Sequence, residues 1–305
     1  MWPISDELGG AEKLRTVVER IKGYGWLYSS YHSWVSILDH DKQANLDLAA
    51  KDDQGRPIYR SRWKAVDEDR WVELAKATLP KEIAAIAPNA DITDIAFCTR
   101  VGEGGRKLAE YLASTGLVLG TERGNEWLVP TYHMFEGMVA PYQQHPLAEY
   151  SHPAPLFNLV YHDAVTNYGK IQDSNHLPAS LAGDYYVKTL RAMLYGDGPM
   201  VFFSPYEYEG IRPYIKFAAK LLCPLHESIA FKELVGHRFL SPDFLVQQTE
   251  FAGGIQITVN LGATPFRGNS GMRLPAYGFR VVKEDGQTIQ GRFRHSVVLD
   301  GQEIR

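Results

Sequence analysis

The sequence has little cysteine: two residues, Cys98 and Cys223, in a chain of 305. Two distant thiols do not make the disulfide framework of a small secreted domain, and a chain this long can fold without covalent staples. Metal and nucleotide signatures are missing too. There is no Cys-x-x-Cys, no His-Glu-x-x-His, no Walker lysine motif and no Gly-x-Ser-x-Gly elbow, which argues against a zinc site, a P-loop and a serine-hydrolase elbow. Asp39-His40-Asp41 is the nearest thing to a metal motif, but it has no spaced partner, so neither metal nor cofactor is expected. No apolar run approaches the ~20 residues of a membrane span, so no membrane partner is expected. The start, Met1-Trp2-Pro3-Ile4-Ser5-Asp6-Glu7, has neither a basic region nor an apolar one that would make a leader, which gives the cytoplasm as the expected location. Charge of one sign is not in excess: 32 basic against 36 acidic residues leave −4, so no nucleic-acid partner is expected. The sequence carries no sign of an oligomeric state.

What is present is ordinary globular material, 45% hydrophobic and 22% charged, in a length that suggests roughly two domains. The aromatic share, 12% with 6 Trp and 17 Tyr, suits sugar binding but equally suits a large core. Up to Leu234, segments of helical period alternate with short apolar runs. Gly10 to Lys22 places Leu14, Val17, Val18 and Ile21 on one helix face. Trp26 to Tyr31, Ile95 to Thr99, Leu117 to Thr121, Leu156 to Tyr161 and Met200 to Ser204 read as strands. Asp67 to Ile86, Arg106 to Ala113 and Ile211 to Leu222 read as helices. Asp39 to Asp69 reads as a long polar loop, and Gly102-Glu103-Gly104-Gly105 as a turn. Strands alternating with helices argue for a parallel sheet with helices outside. After His237 the pattern becomes short alternating strands, with a hairpin at Gly253-Gly254. The expected fold is therefore α/β: a (β/α)₈ TIM-barrel-like domain over 1–237, possibly incomplete, followed by an antiparallel β-sandwich over 238–305. About five strands are legible where a full barrel has eight.

The C-terminal ends of barrel strands hold active sites. Glu122, directly after Leu117 to Thr121 and beside Arg123, Asn125 and Trp127, is therefore the first candidate for a general acid/base. The alternative is a solvated carboxylate paired with Arg123. The run Pro155-Leu156-Phe157-Asn158-Leu159-Val160-Tyr161-His162-Asp163, read as a strand, delivers His162 and Asp163 to the same rim, unless they only cap it. His32, in Tyr31-His32-Ser33-Trp34, ends the first strand and could face the same mouth. His133 and Glu136, in the segment after Pro130, are as readily structural as functional.

Together these stretches resemble one group of enzymes. Leu117 to Pro130, then Phe135-Glu136-Gly137-Met138, then Pro155 to Asp163 occur in the order found in the glycoside hydrolases of family 129 and their family 101 relatives. The resemblance implies a retaining α-N-acetylgalactosaminidase on a (β/α)₈ barrel with flanking β-domains, taking a carbohydrate substrate with α-linked galacto-configured sugars. It implies Glu122 as acid/base, with Asp163 as the only other carboxylate expected at the mouth. His32, Thr99, Asn125, Trp127, His133, Glu136 and His162 would then line the sugar site. In the family the strand before that of Glu122 ends in an aspartate nucleophile. With Ala96-Phe97-Cys98-Thr99-Arg100 taken as that strand, Thr99 occupies the nucleophile's place, and Asp91 and Asp94 fall at the opposite end. The expected activity is accordingly that of a glycosidase lacking its nucleophile; the alternative is a non-catalytic carbohydrate-binding protein.

Overall fold

The computed structural model describes residues 4–38, 46–60, 63–94, 102–122, 125–136, 154–170, 184–201, 208–268, 271–294 and 296–304. The chain divides into two compact units, 1–135 and 136–305.

The first unit opens with helix α1 (Gly10–Gly23), then strand β1 (Ser29–His32). A small antiparallel sheet follows, built from β2 (Ser36–Leu38), β3 (Tyr59–Arg60) and β4 (Trp63–Ala65) in the order β2-β4-β3. The stretch expected as a long loop thus contains paired backbone. Its polar composition hid strands of only two or three residues. Helix α2 (Trp71–Ile86) buries Trp71, Ala75, Leu79, Glu82 and Ile86. Steps of three and four place these residues on one stripe, and Glu82 is the one charged member. Strand β5 (Ala90–Thr93), helix α3 (Glu103–Ala113) and strand β6 (Val118–Glu122) complete the unit's (β/α) pattern. Strands β1, β5 and β6 are parallel neighbours in chain order.

The described strand before β6 is Ala90–Thr93; the strand expected at Ile95 to Thr99, and with it Thr99, lies outside the described residues. One expectation needs correction here. The Gly102-to-Gly105 stretch opens α3, with Gly104 and Gly105 buried. A Cβ on Gly104 would stand 2.4 Å from the Glu68 carbonyl oxygen, so the glycine permits close packing of a helix start.

Strand β7 (Met134–Glu136) lies at the junction of the units along the chain. The second unit continues with α4 (Leu156–Tyr161), β8 (Thr166–Lys170), α5 (Asp184–Tyr195), β9 (Gly198–Met200), α6 (Tyr208–Phe217) and α7 (Cys223–Ile229), the last two joined by a π-helical turn. Strands β8 and β9 are parallel. Six strands of (β/α) type are therefore described, against the eight of a complete TIM barrel. Leu156 to Tyr161 is a helix, contrary to the strand expected. A six-residue apolar run is ambiguous on sequence alone, and here Leu156 and Val160, four apart, are both exposed while Asn158 is buried.

From Leu234 pairing becomes antiparallel. Strands β10 (Leu234–Phe239), β11 (Val246–Phe251), β12 (Ile255–Asn260), β13 (Phe266–Arg267), β14 (Arg273–Leu274), β15 (Gly278–Val282), β16 (Thr288–Arg294), β17 (Ser296–Leu299) and β18 (Gln302–Ile304) follow. Seven of them form one sheet in the order β10-β11-β12-β15-β16-β17-β18, and β13 pairs with β14. The hairpin expected at Gly253-Gly254 joins β11 to β12, with Phe251 opposite Ile255. One face of this sheet, through Phe251, Ile257, Val259, Phe279 and Phe293, shares a core with Leu190, Leu194, Phe217, Leu221 and Leu225 of the helical segments.

The second unit also buries a carboxyl. Asp197 accepts a hydrogen bond from the Asn158 side chain at 2.9 Å. Burial pushes its pKa up to about 7, against the opposing effect of that bond. The folded state then holds a proton that the unfolded chain releases near pH 4, so stability falls as pH rises from there through 7. Asp197→Asn is expected to raise the melting temperature at pH 8, by at most about 4 kcal/mol of stability, and to change little at pH 4. Urea melts of both chains at the two pH values check this.

Candidate active site

The pleat sorts the first unit's parallel strands into two faces. Register pairs Tyr31 with Ile92 and Ile92 with Gly120, and pairs His32 with Thr93 and Thr93 with Thr121. Side chains alternate along a strand, so Tyr31, Ile92, Gly120 and Glu122 share one face. Ser30, His32, Asp91, Thr93 and Thr121 share the other.

The second face meets α2. His32 Nδ1–H donates to Asp91 Oδ1 at 2.5 Å and Nε2–H to Glu82 Oε2 at 2.9 Å. Ser30 Oγ donates to Glu82 Oε1. Trp34 stacks on the imidazole, with ring centroids 4.5 Å apart. Burial alone would lower the His32 pKa, but the hydrogen bonds and charges of Asp91 and Glu82 outweigh it and raise it to about 9. Burial likewise opposes ionisation of Glu82, yet His32 and Ser30 hold its carboxyl below the ordinary glutamate range. The cluster is an imidazolium clamped between two carboxylates. It ties β1 to β5 and α2, and His32 therefore does not face the mouth with Glu122. Helices pack outside a (β/α) barrel, so the face of Tyr31, Ile92 and Glu122 is the interior one.

Glu122 ends β6 on that interior face and is 7% exposed. Tyr31, from two strands away, donates its phenolic hydrogen to Glu122 Oε2 at 2.7 Å. The paired register ends at Thr93 and Thr121; carried one residue further, it sets Asp94 opposite Glu122. The Asp94 N–H bonds the His32 carbonyl at 2.9 Å, which extends the β1–β5 ladder one residue past Thr93. Alternation then brings Asp94 to the face of Ile92, beside Glu122 at the same level of the neighbouring strand. Backbones of paired strands lie about 4.8 Å apart, which suits carboxyls that address one bond from two sides. The sequence reading missed Asp94 because it took Ile95 to Thr99 as the strand. The available signal was the pair of polar residues, Asp91 and Asp94, whose odd spacing puts them on opposite faces.

Other expected residues lie elsewhere. His162 and Asp163 follow α4 and precede β8, at the strand's N-terminal end, where barrels keep stability rather than chemistry. His162 is 2% exposed, with its ring nitrogens 2.8 Å from the Lys232 carbonyl and 3.3 Å from that of Gly196. Burial lowers its pKa. Gly196, at φ +79°, has room for no side chain because a Cβ would stand 2.2 Å from His162 Nε2. Asp163 is exposed. His133 immediately precedes β7, where its Nδ1 accepts from the Leu119 N–H at 3.1 Å. His162 and His133 thus bond backbone groups. Asn125 and Trp127 lie on the segment after β6, and Glu136 ends β7, all on the C-terminal side of their strands. Among the described residues no group of three His, Cys, Asp or Glu could hold a metal ion, and no helix is long and apolar enough to cross a membrane.

Comparison with known proteins bears on what such a site serves. The family model for glycosyl hydrolases related to GH101, GH129, matches residues 139–250. The fold is that of alpha-N-acetylgalactosaminidase NagBb from Bifidobacterium bifidum, at TM-score 0.66 and 20% identity over 90% of this chain and 46% of that one. The chain thus spans about half the length of that protein. It also resembles a noncanonic maltogenic alpha-amylase, AmyB, from Thermotoga neapolitana, at TM-score 0.66 and 10% identity over 95% of this chain and 78% of the other. A GH36 alpha-galactosidase, AgaA, from Geobacillus stearothermophilus follows at TM-score 0.56 and 9% identity, covering 90% and 46%. Curated protein sequences give no match. Residues 139–250 are thus similar to the glycosyl hydrolases related to GH101, GH129, and the fold is similar to that of solved glycosidases.

Proposed function

We propose that this chain is a retaining glycosidase acting on α-linked galacto-configured sugars such as N-acetylgalactosamine, with Asp94 as nucleophile and Glu122 as acid/base. What supports it is the register of β5 and β6, which, carried one residue past Thr93 and Thr121, sets Asp94 beside Glu122. The sugar class rests on the family match and on what the neighbouring glycosidases act on.

In the first step an Asp94 carboxylate oxygen bonds to the anomeric carbon as the glycosidic C–O bond breaks. Glu122 gives its proton to the departing oxygen. In the second step water attacks the same carbon, Glu122 takes a proton from it, and the Asp94–sugar bond breaks. Two inversions retain the configuration. An ionised aspartate serves as nucleophile without an activating base, which a threonine hydroxyl would need. Asn125 and Trp127 are the candidates for holding the sugar. The (β/α) portion, 1–237, would carry the chemistry, and the antiparallel portion, 238–305, would support it.

The test is turnover of aryl α- and β-glycosides, N-acetylgalactosaminides included, with the anomer first released read by NMR. The α-product from an α-substrate is expected. Sugar binding without turnover would favour the non-catalytic alternative, and a β-product would contradict retention.

A further inference from the structure

The reading above assigns Glu122 its proton but leaves open what aims the carboxyl. Glu122 lies two strands from β1, about 10 Å away at backbone level, yet one β1 side chain reaches it. Tyr31 rises on the interior face and donates to Oε2 at 2.7 Å, while the residue stays 42% exposed. On the other face the next residue, His32, is fixed by Asp91 and Glu82. The phenol therefore projects from a strand anchored directly behind it.

We infer that Tyr31 is a positioning residue for Glu122, an inference that rests on the acid/base role proposed above. The phenol holds Oε2 while the Glu122 carboxyl gives its proton to the leaving group. As that proton departs, negative charge grows on the carboxyl and is shared with Oε2. A hydrogen bond to an ionised acceptor is roughly twice as strong as one to a neutral acceptor, so the Tyr31 bond strengthens as the proton leaves. Tyr31 keeps its own proton throughout, and only Glu122 exchanges one with the glycosidic oxygen. The gain belongs to the transition state, so it should appear in kcat and leave KM nearly unchanged.

The experiment compares the full chain with its Tyr31→Phe and Glu122→Gln forms on two aryl glycosides of one sugar, with phenyl and 2,4-dinitrophenyl leaving groups. Phenoxide leaves slowly and needs the proton; dinitrophenoxide does not. Tyr31→Phe should lower kcat about 10-fold on the phenyl glycoside and less than about 2-fold on the dinitrophenyl one, at similar KM and melting temperature. Equal losses on both substrates, a loss confined to KM, or no loss overturns the inference, provided Glu122→Gln still fails on the phenyl glycoside. If Glu122→Gln keeps its phenyl rate, the acid/base reading itself falls, and this inference with it. A crystal structure of Tyr31→Phe needs no turnover: the Glu122 carboxyl should leave its rotamer, and an unmoved carboxyl contradicts positioning.

Discussion

Asp94→Asn and Glu122→Gln are each expected to remove most of the chain's hydrolysis, in ways that differ by leaving group. Glu122→Gln deletes proton donation, which is worth about 10²–10⁴-fold where the leaving group is poor. In kcat/KM, which reports the first step, the loss should shrink on 2,4-dinitrophenyl glycosides, because that oxygen departs unprotonated. Asp94→Asn deletes the atom that bonds to the anomeric carbon, so its loss, about 10³-fold or more by analogy with other deleted nucleophiles, should be the same for every leaving group. Both carboxyls sit where β5 and β6 end side by side, and neither substitution changes side-chain volume appreciably, so melting temperatures should stay within a few degrees. Steady-state rates on the two substrates separate the roles. Asp163→Asn, by contrast, changes an exposed residue ahead of β8 and should leave the rate unaltered.

The largest effect on stability is expected at His32. Its imidazolium sits between Glu82 and Asp91 at 2.9 and 2.5 Å, and all three are nearly inaccessible, at 4%, 3% and 0%. Removing one partner of a buried charge cluster leaves the others uncompensated, and His32→Ala should cost about 3–5 kcal/mol. The pH dependence carries a signature. The folded pKa, about 9, lies above the unfolded 6.5, so the stabilisation is fully present below 6.5 and is lost as pH rises through 9. Over that window it amounts to about 3 kcal/mol. Denaturant melts should therefore show the gap between wild type and His32→Ala wide at pH 6 and narrowed by that amount near pH 10. A gap constant with pH would mean that the imidazole is neutral in the folded chain.

Much of the architecture was legible because period and length agreed. The α1 stripe, the β6 run and the β11–β12 hairpin were each marked by their own residues. The failures share a physical cause: local hydrophobicity was taken as the sign of a strand. Leu156 to Tyr161 is apolar but too short for its period to decide, and it is helical. The β5 strand contains Asp91, which its bond to His32 on the neighbouring strand makes tolerable in a core, so its own sequence argues against it. Taking Ile95 to Thr99 as the strand is what puts Thr99 at the nucleophile position and Asp94 at the other end. Glu122 could be placed at a strand end because β6 is an unambiguous run. The roles of Tyr31 and Asp94 could not be read, because they depend on pairing register, which no single stretch of sequence displays.

The most direct test of the central claim is to trap the covalent intermediate. Wild-type chain is incubated with a 5-fluoroglycosyl fluoride of the sugar it hydrolyses, digested, and the peptides are weighed. The account predicts one glycosyl adduct, on the peptide that holds Asp94, and none in Asp94→Asn. An adduct on Asp163 or on any other carboxylate, with Asp94 unlabelled, would contradict it.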